Sequence, residues 1–253
     1  MGRKFEKAII LAAGMGKRLK GETQNVPKAL VEVHGHSLLE LILWNLSRFT
    51  GTRSVVLATG HFHGLVEEKI GSEYAGLKIG YLVNEDYEST NNCYTLWLLR
   101  EHLADGFLLV NTDVLFDGRI LEKAEASSYE SFIVVDVLRI LDEEDMKVRL
   151  ENSRIVEISK ELDPALSHGE YIGILGFGSL VSRELVTELE RTVEKEGERG
   201  IYYEDVVRRM LERCAIHAVR SDPYEWIEID TLDDLKAARK DVYPRIAGAL
   251  GWR

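Results

Sequence analysis

Cysteine, glutamine and proline are scarce in this chain of 253 residues, which holds two cysteines, one glutamine (Gln24) and four prolines. Cys93 and Cys214 fit no metal-ligand spacing, which excludes a zinc ribbon or finger. They remain either two buried thiols or one long-range disulfide between the segments around 93 and 214. No apolar run approaches the roughly 18 residues that a membrane span needs, so a membrane-inserted protein is excluded. The run that follows the first few residues, Lys7 to Ala13, is too short for a signal-peptide core with its cleavage site, and the expected location is cytoplasmic. Basic charge is short as well: 32 Lys and Arg face 43 Asp and Glu, a net charge of −11. A general nucleic-acid partner is excluded, because counterion release needs a basic face, and any phosphate handling must be local. Linkers rich in Pro, Gly or Ser, internal repeats and low-complexity tracts are missing, so one domain over 1–253 is expected. The scarcity of glutamine beside abundant Glu, Lys and Arg is the compositional drift of hyperthermophile proteins.

What is present is an alternation of apolar runs and amphipathic patterns. Lys7-Ala8-Ile9-Ile10-Leu11-Ala12-Ala13 is continuously apolar after its lysine and ends at a glycine, as a strand buried on both faces does. Strand-like runs at 53–59, 77–83 and 106–111 alternate with helical patterns at 37–49, 63–70 and 92–103, which predicts a βαβα order and a parallel sheet. After Asp113 the pattern changes to strands at 131–137, 147–151, 154–159 and 171–180. Helices at 182–196 and 202–213, strands at 215–220 and 225–229, and a helix from about 231 follow. The fold class is α/β: a doubly wound mixed sheet, mostly parallel in its N-terminal half.

The first strand leads into Leu11-Ala12-Ala13-Gly14-Met15-Gly16-Lys17-Arg18-Leu19, and Pro27-Lys28-Ala29-Leu30 follows. Glycines let the backbone turn its N–H groups toward phosphate oxygens, and Lys17, Arg18 and Lys28 supply compensating charge. A glycine turn with exposed basic residues is the alternative. A dinucleotide fingerprint fits less well, since it needs a third glycine near position 19 and a carboxylate closing the second strand, where this chain has Leu19 and a long basic loop.

The combination of Leu-Ala-Ala-Gly-x-Gly-x-Arg-Leu with Pro-Lys-Ala-Leu resembles the signature of the sugar-phosphate nucleotidyltransferase superfamily. The resemblance implies a Rossmann-like nucleotidyltransferase fold, with a nucleotide-binding half over 1–113 and an acceptor-binding half over 114–253. It implies nucleotide contacts from Leu11, Ala12, Ala13, Gly14 and Gly16, with Lys28 on the phosphates. Asp113, at the end of Phe107–Thr112, lies where open α/β sheets bind ligands. Asp230 reads locally as a helix cap with Asp233 and Asp234 in the first turn. The resemblance makes Asp113 and Asp230 a Mg²⁺ pair, and two carboxylates suffice for that ion.

On the acceptor side, the resemblance assigns Lys160 to the acceptor phosphate, with Lys147 a lesser candidate for the same task and Glu170 on the acceptor-binding strand. The segment Glu88 to Trp97 replaces the Gly-rich base-binding stretch of hexose-1-phosphate members and is similar to a branch of small phospho-alcohol cytidylyltransferases. CTP is then the expected triphosphate, with Asn91 and Asn92 at the nucleotide. Asn91 or Asn92 also suits a helix cap, and Tyr94 and Trp97 suit either a core stripe or a cation pocket. Inositol 1-phosphate is the expected acceptor, phosphocholine or a sugar 1-phosphate the alternatives. A catalytically silent nucleotide-sensing subunit is the reading from another class, and a downstream partner enzyme is compatible with either.

Overall fold

The computed structural model describes residues 5–250, and residues 1–4, on which the reading of the N-terminus partly rests, lie outside them. The first half runs β1 (Lys7–Ala12), β2 (Glu32–Val33), β3 (His36–Ser37), α1 (Leu38–Phe49), β4 (Ser54–Thr59), α2 (His63–Ile70), β5 (Glu73–Tyr74), β6 (Leu77–Val83), α3 (Asn92–Leu98) and β7 (Phe107–Asn111). The second runs β8 (Val114–Phe116), α4 (Arg119–Ala126), β9 (Phe132–Asp136), β10 (Lys147–Glu151), β11 (Arg154–Ser159), β12 (Gly169–Phe177), α5 (Ser179–Glu190), α6 (Tyr203–Met210), β13 (His217–Arg220), β14 (Trp226–Glu228), α7 (Leu232–Ala237) and α8 (Tyr243–Leu250).

Ten strands form one sheet in the order β10-β11-β13-β9-β12-β7-β1-β4-β6-β5. β1 is parallel to β4 and β7, and β4 to β6; β12 runs antiparallel to β7 and opens the mixed part. The apolar run of β1 is explained by its place between two layers. Ile9 and Leu11 face one core with Leu96 of α3, Leu185 of α5 and Val206 of α6. Ala8, Ile10 and Ala12 face the other with Leu39 of α1, Val66 of α2 and Ile120 of α4. Successive side chains of a strand point to opposite faces, so a strand covered on both sides is apolar throughout. Each Ile or Leu so buried contributes roughly 1.5–3 kcal/mol. A third core packs Leu19 and Val31 against Ile229, Leu235 and Ile246, tying the last helices to the loop after β1.

Several boundaries differ from the sequence expectations. Helix α4 answers to no sequence expectation, although Ile120, Leu121 and Ala124 give it an apolar stripe. The helix expected over 92–103 stops at Leu98 and gives way to a 3₁₀ turn at Arg100–His102. The strand expected to run to 180 ends at Phe177, because Gly178 opens α5; Leu180 is thereby a helical surface residue, 73% exposed. The disulfide alternative is corrected: Cys93 and Cys214 are both free and buried. Both pack in the same apolar core as small hydrophobic side chains, and burial pushes the Cys93 thiol up to about 12. No helix among the described residues is long and apolar enough to cross a membrane.

Candidate active site

The parallel strands β1 and β7 end side by side, and the loops leaving them form a cleft of about 420 Å³. Their ends are tied by Thr112, whose hydroxyl donates to the Leu11 carbonyl at 2.9 Å. The loop after β1 turns at Gly16, with φ +61°; a Cβ there would stand 2.9 Å from the Lys28 Cβ, so only glycine lets the loop lie against that lysine. Thr23 holds the turn through a 2.9 Å bond from its hydroxyl to the Gly16 carbonyl, and the fully buried Leu19 anchors it to the third core.

Asp113 and Asp230 are far apart in sequence and adjacent in space because β8 and β14 pair antiparallel, with Val114 opposite Glu228. The Ile229 N–H then donates to the Asp113 carbonyl at 2.8 Å. Carboxylate oxygens of Asp113, Glu228 and Asp230 lie within 4.8 Å of one another. Lys28 bridges the pair, its Nζ 3.1 Å from Asp113 Oδ2 and 2.5 Å from Asp230 Oδ1, while Arg18 reaches Asp230 Oδ2 at 2.5 Å. Burial by itself would lower the Lys28 pKa, but the charges of Asp113 and Asp230 outweigh it and the pKa is raised. Burial acts the other way on Asp230, where Lys28 and then Arg18 prevail and hold its carboxyl below the usual range. Loss of hydration around the Glu228 carboxylate, and then the charges of Asp113 and Asp230, push that group up to about 7. One oxygen of Asp113, Oδ1, is buried without a hydrogen-bond partner.

Most of the residues singled out in the sequence meet here. Leu11, Ala13, Gly14, Gly16, Lys17, Arg18, Lys28, Asn91, Asn92, Asp113 and Asp230 all line the cleft. Ala12 does not line it and is buried in β1. Both asparagines also work as structural groups: Asn91 Oδ1 accepts from the Asn92 N–H at 2.8 Å to cap α3, and Asn92 Oδ1 accepts from the Tyr203 N–H at 2.8 Å. Tyr94 and Trp97 stack on each other on the core side, and Trp97 donates its indole N–H to Glu194 at 3.1 Å.

The acceptor-side candidates are dispersed. Lys147 is fully buried, and its ammonium donates to the carbonyls of Asp142, Glu143 and Asp145 at 2.9–3.0 Å, which occupies all three N–H groups and leaves none for a ligand. It organises the 137–146 loop instead. Glu170 pairs with Lys147 across β10 and β12, lies 3.1 Å from Arg139, and is pushed up to about 8 by burial. It does not line the cleft. Lys160 sits at the cleft's flank, its Nζ 5.5 Å from the centre of the Tyr202 ring, which lines the cleft, and beside a hollow of about 560 Å³ with Glu143, Glu144 and Glu161. Its charge acts on both Glu228 and Asp230.

The sequence reading missed Asn84, Tyr87, Asn111 and Tyr202 on the cleft wall and Glu228 in the carboxylate cluster. A signal existed for Asn111 and Glu228, polar residues at strand ends beside named aspartates. None existed for Tyr202, which comes from a distant helix.

Comparison with known proteins fits this arrangement. Over 127 residues, 50% of the chain, it is 39% identical to the CMP-5'-(3-aminopropyl)phosphonate synthase of Streptomyces rubellomurinus, of which that match covers 20%. Over 237 residues, 93% of the chain, it is 29% identical to the bifunctional IPC transferase and DIPP synthase of Aquifex aeolicus, of which it covers 51%. The chain thus spans about half or less of the length of these two relatives. The structure of the inositol-1-phosphate CTP transferase from T. maritima superposes with a TM-score of 0.80 over 98% of both chains at 22% identity, a likeness of fold. The family model described as nucleotidyl transferase matches residues 7–145, more than half of the chain, and the protein belongs to that family of nucleotidyltransferase enzymes.

Proposed function

We propose that the chain is a Mg²⁺-dependent cytidylyltransferase that transfers CMP from CTP to a small phosphorylated alcohol and releases pyrophosphate. The observation that carries the reading is the carboxylate pair Asp113 and Asp230, held side by side in a cleft that the Gly14–Gly16 loop also lines. The residues fit a divalent cation: three carboxylates converge, and Asp113 Oδ1 is buried without a partner. Asp113 and Asp230 would hold the ion, which when bound neutralises charge on the α-phosphate.

The remaining work falls to the chain's own groups. Backbone N–H groups of the glycine loop and the side chains of Lys17, Arg18 and Lys28 bind the triphosphate and stabilise the departing pyrophosphate. Lys160 orients the acceptor, whose phosphate oxygen attacks the α-phosphorus as the bond to pyrophosphate breaks, with no covalent enzyme intermediate. CTP is favoured because the CMP-5'-(3-aminopropyl)phosphonate synthase, the choline-phosphate cytidylyltransferases and the T. maritima enzyme carry cytidine nucleotides in their names, against a guanylyltransferase among the other relatives. Inositol 1-phosphate is the first acceptor reading, supported by the likeness to the T. maritima enzyme and by the heat-adapted composition. A phosphonate is the second, because the 39% identity over 127 residues is to a phosphonate-nucleotide synthase. Soluble substrates and two free thiols suit work in the cytoplasm.

The test is pyrophosphate release from a matrix of CTP, UTP, ATP and GTP against inositol 1-phosphate, phosphocholine, glycerol 3-phosphate, glucose 1-phosphate and 3-aminopropylphosphonate. CTP with one acceptor should exceed every other pair by about 10-fold or more in kcat/KM. Release with UTP or ATP in preference to CTP, or with no pair at all, overturns the reading.

A further inference from the structure

β7 is fully buried from Phe107 to Val110 and then ends in a polar residue, Asn111, whose side chain lines the cleft two residues before Asp113. Three features fix that amide. Tyr203 of α6, fully buried, donates its hydroxyl to Asn111 Oδ1 at 3.4 Å. Tyr171 of β12, also buried, backs it with a hydroxyl contact of 2.7 Å to the Tyr203 hydroxyl. At Gly173 the strand β12 takes φ +80° within an irregular stretch of its pairing with β9, and a Cβ there would stand 3.1 Å from both Asn111 Cβ and Nδ2. The Tyr203 hydroxyl holds the amide oxygen toward α6, and the glycine keeps the space beside the amide nitrogen open. Among the described residues Asn111 Nδ2 has no hydrogen-bond partner.

We infer that Asn111 is a substrate contact, its Nδ2 donating to a phosphate or phosphonate oxygen of the acceptor beside Asp113, with Tyr203 and Tyr171 as positioning residues. The inference rests on the proposed cytidylyl transfer and adds to it a neutral donor that distinguishes the acceptor from the triphosphate. Both elements that restrain the amide, β12 and α6, belong to the 114–253 half, whereas the glycine loop and Lys28 belong to the other. A neutral amide N–H suits an anionic oxygen here, because the cationic groups Lys28 and Arg18 are assigned to the triphosphate.

Steady-state kinetics use wild type with whichever acceptor it turns over. Asn111→Ala should raise the acceptor KM by about 10-fold or more while leaving the KM for CTP within about 2-fold. Asn111→Asp, equal in size but anionic toward the phosphate, should lose more in kcat/KM than Asn111→Ala. Tyr203→Phe keeps the ring and removes the hydroxyl. It should raise the acceptor KM by a smaller factor in wild type and add nothing in the Asn111→Ala background, with thermal unfolding confirming that each variant is folded. An unchanged acceptor KM in Asn111→Ala, a rise confined to CTP, or additivity with Tyr203→Phe overturns the assignment while the transferase reading stands. Absence of pyrophosphate release by wild type with every acceptor removes both together.

Discussion

Lys28 occupies a place where its charge decides the state of its neighbours. Its side chain is 10% exposed and it lies between two carboxylates that are themselves a quarter exposed or less. Removing it leaves two close carboxylates without their shared cation, a loss of roughly 1–3 kcal/mol given their partial solvation. Lys28→Ala should therefore lower the unfolding midpoint in EDTA and raise the KM for CTP, with less effect on the acceptor KM. Asp113→Ala and Asp230→Ala should each cut kcat by about 100-fold or more with the fold retained, checked by pyrophosphate release at limiting Mg²⁺. Glu204, 5% exposed on α6 beside Asn92, carries a different signal. Burial pushes its carboxyl from 4.5 up to about 7. Between those values the folded chain keeps a proton that the unfolded chain has released, so this group's contribution to stability is full below about 4.5, falls as pH rises, and levels off above about 7. The loss amounts to at most roughly 3 kcal/mol. Glu204→Gln should flatten that slope in urea titrations run from pH 4.5 to 7.5; an unchanged slope would assign it to other groups.

At the scale of elements, the short ribbon of β8 and β14 and the first turn of α7 do most to shape the carboxylate pair. Thr231 caps α7 in a capping box: its hydroxyl accepts from the Asp234 N–H at 3.2 Å, and Asp234 Oδ2 accepts from the Thr231 N–H at 2.7 Å. The same Oδ2 accepts from the Asp230 N–H at 3.1 Å, so the cap also sets the backbone from which Asp230 projects. The local reading of Asp230, Asp233 and Asp234 as helix-start residues and the family-based reading of Asp230 as a cleft carboxylate describe two uses of one turn. Thr231→Ala should cost about 1 kcal/mol of stability. It should also raise the Mg²⁺ concentration for half-maximal activity, and a change in stability alone would separate the cap from the site.

For the whole molecule, the two free thiols give a direct check on how the late part of the chain is held. Titration of denatured, unreduced protein should find two thiols per chain. Packing, and no covalent link, then joins the two halves of the sheet, through β12 against β7 and through the third core. The strands β1, β4, β6 and β7 and the helices α1 and α2 were legible in the sequence, because an element covered by neighbours on known faces carries a period of 2 or 3.6 in its own residues. The glycine loop, Lys28, Asp113 and Asp230 were singled out through the resemblance of their motifs to the nucleotidyltransferase signature, Asp230 reading locally only as a helix cap. Helix α4 was legible in principle and overlooked, whereas the end of β12 depended on Gly178, where an apolar Leu180 looked like strand and proved to be helix surface. By itself, then, the sequence determined the α/β class, the alternation of the central strands with helices and the glycine turn after β1, since each rests on local pattern. Only the tertiary structure decided that Lys147 is spent on loop carbonyls, that Glu228 joins the two aspartates, and that Asn111 is aimed by tyrosines from β12 and α6. Those facts depend on which side chains distant segments bring within hydrogen-bond reach, and such proximity leaves no periodic trace along the chain.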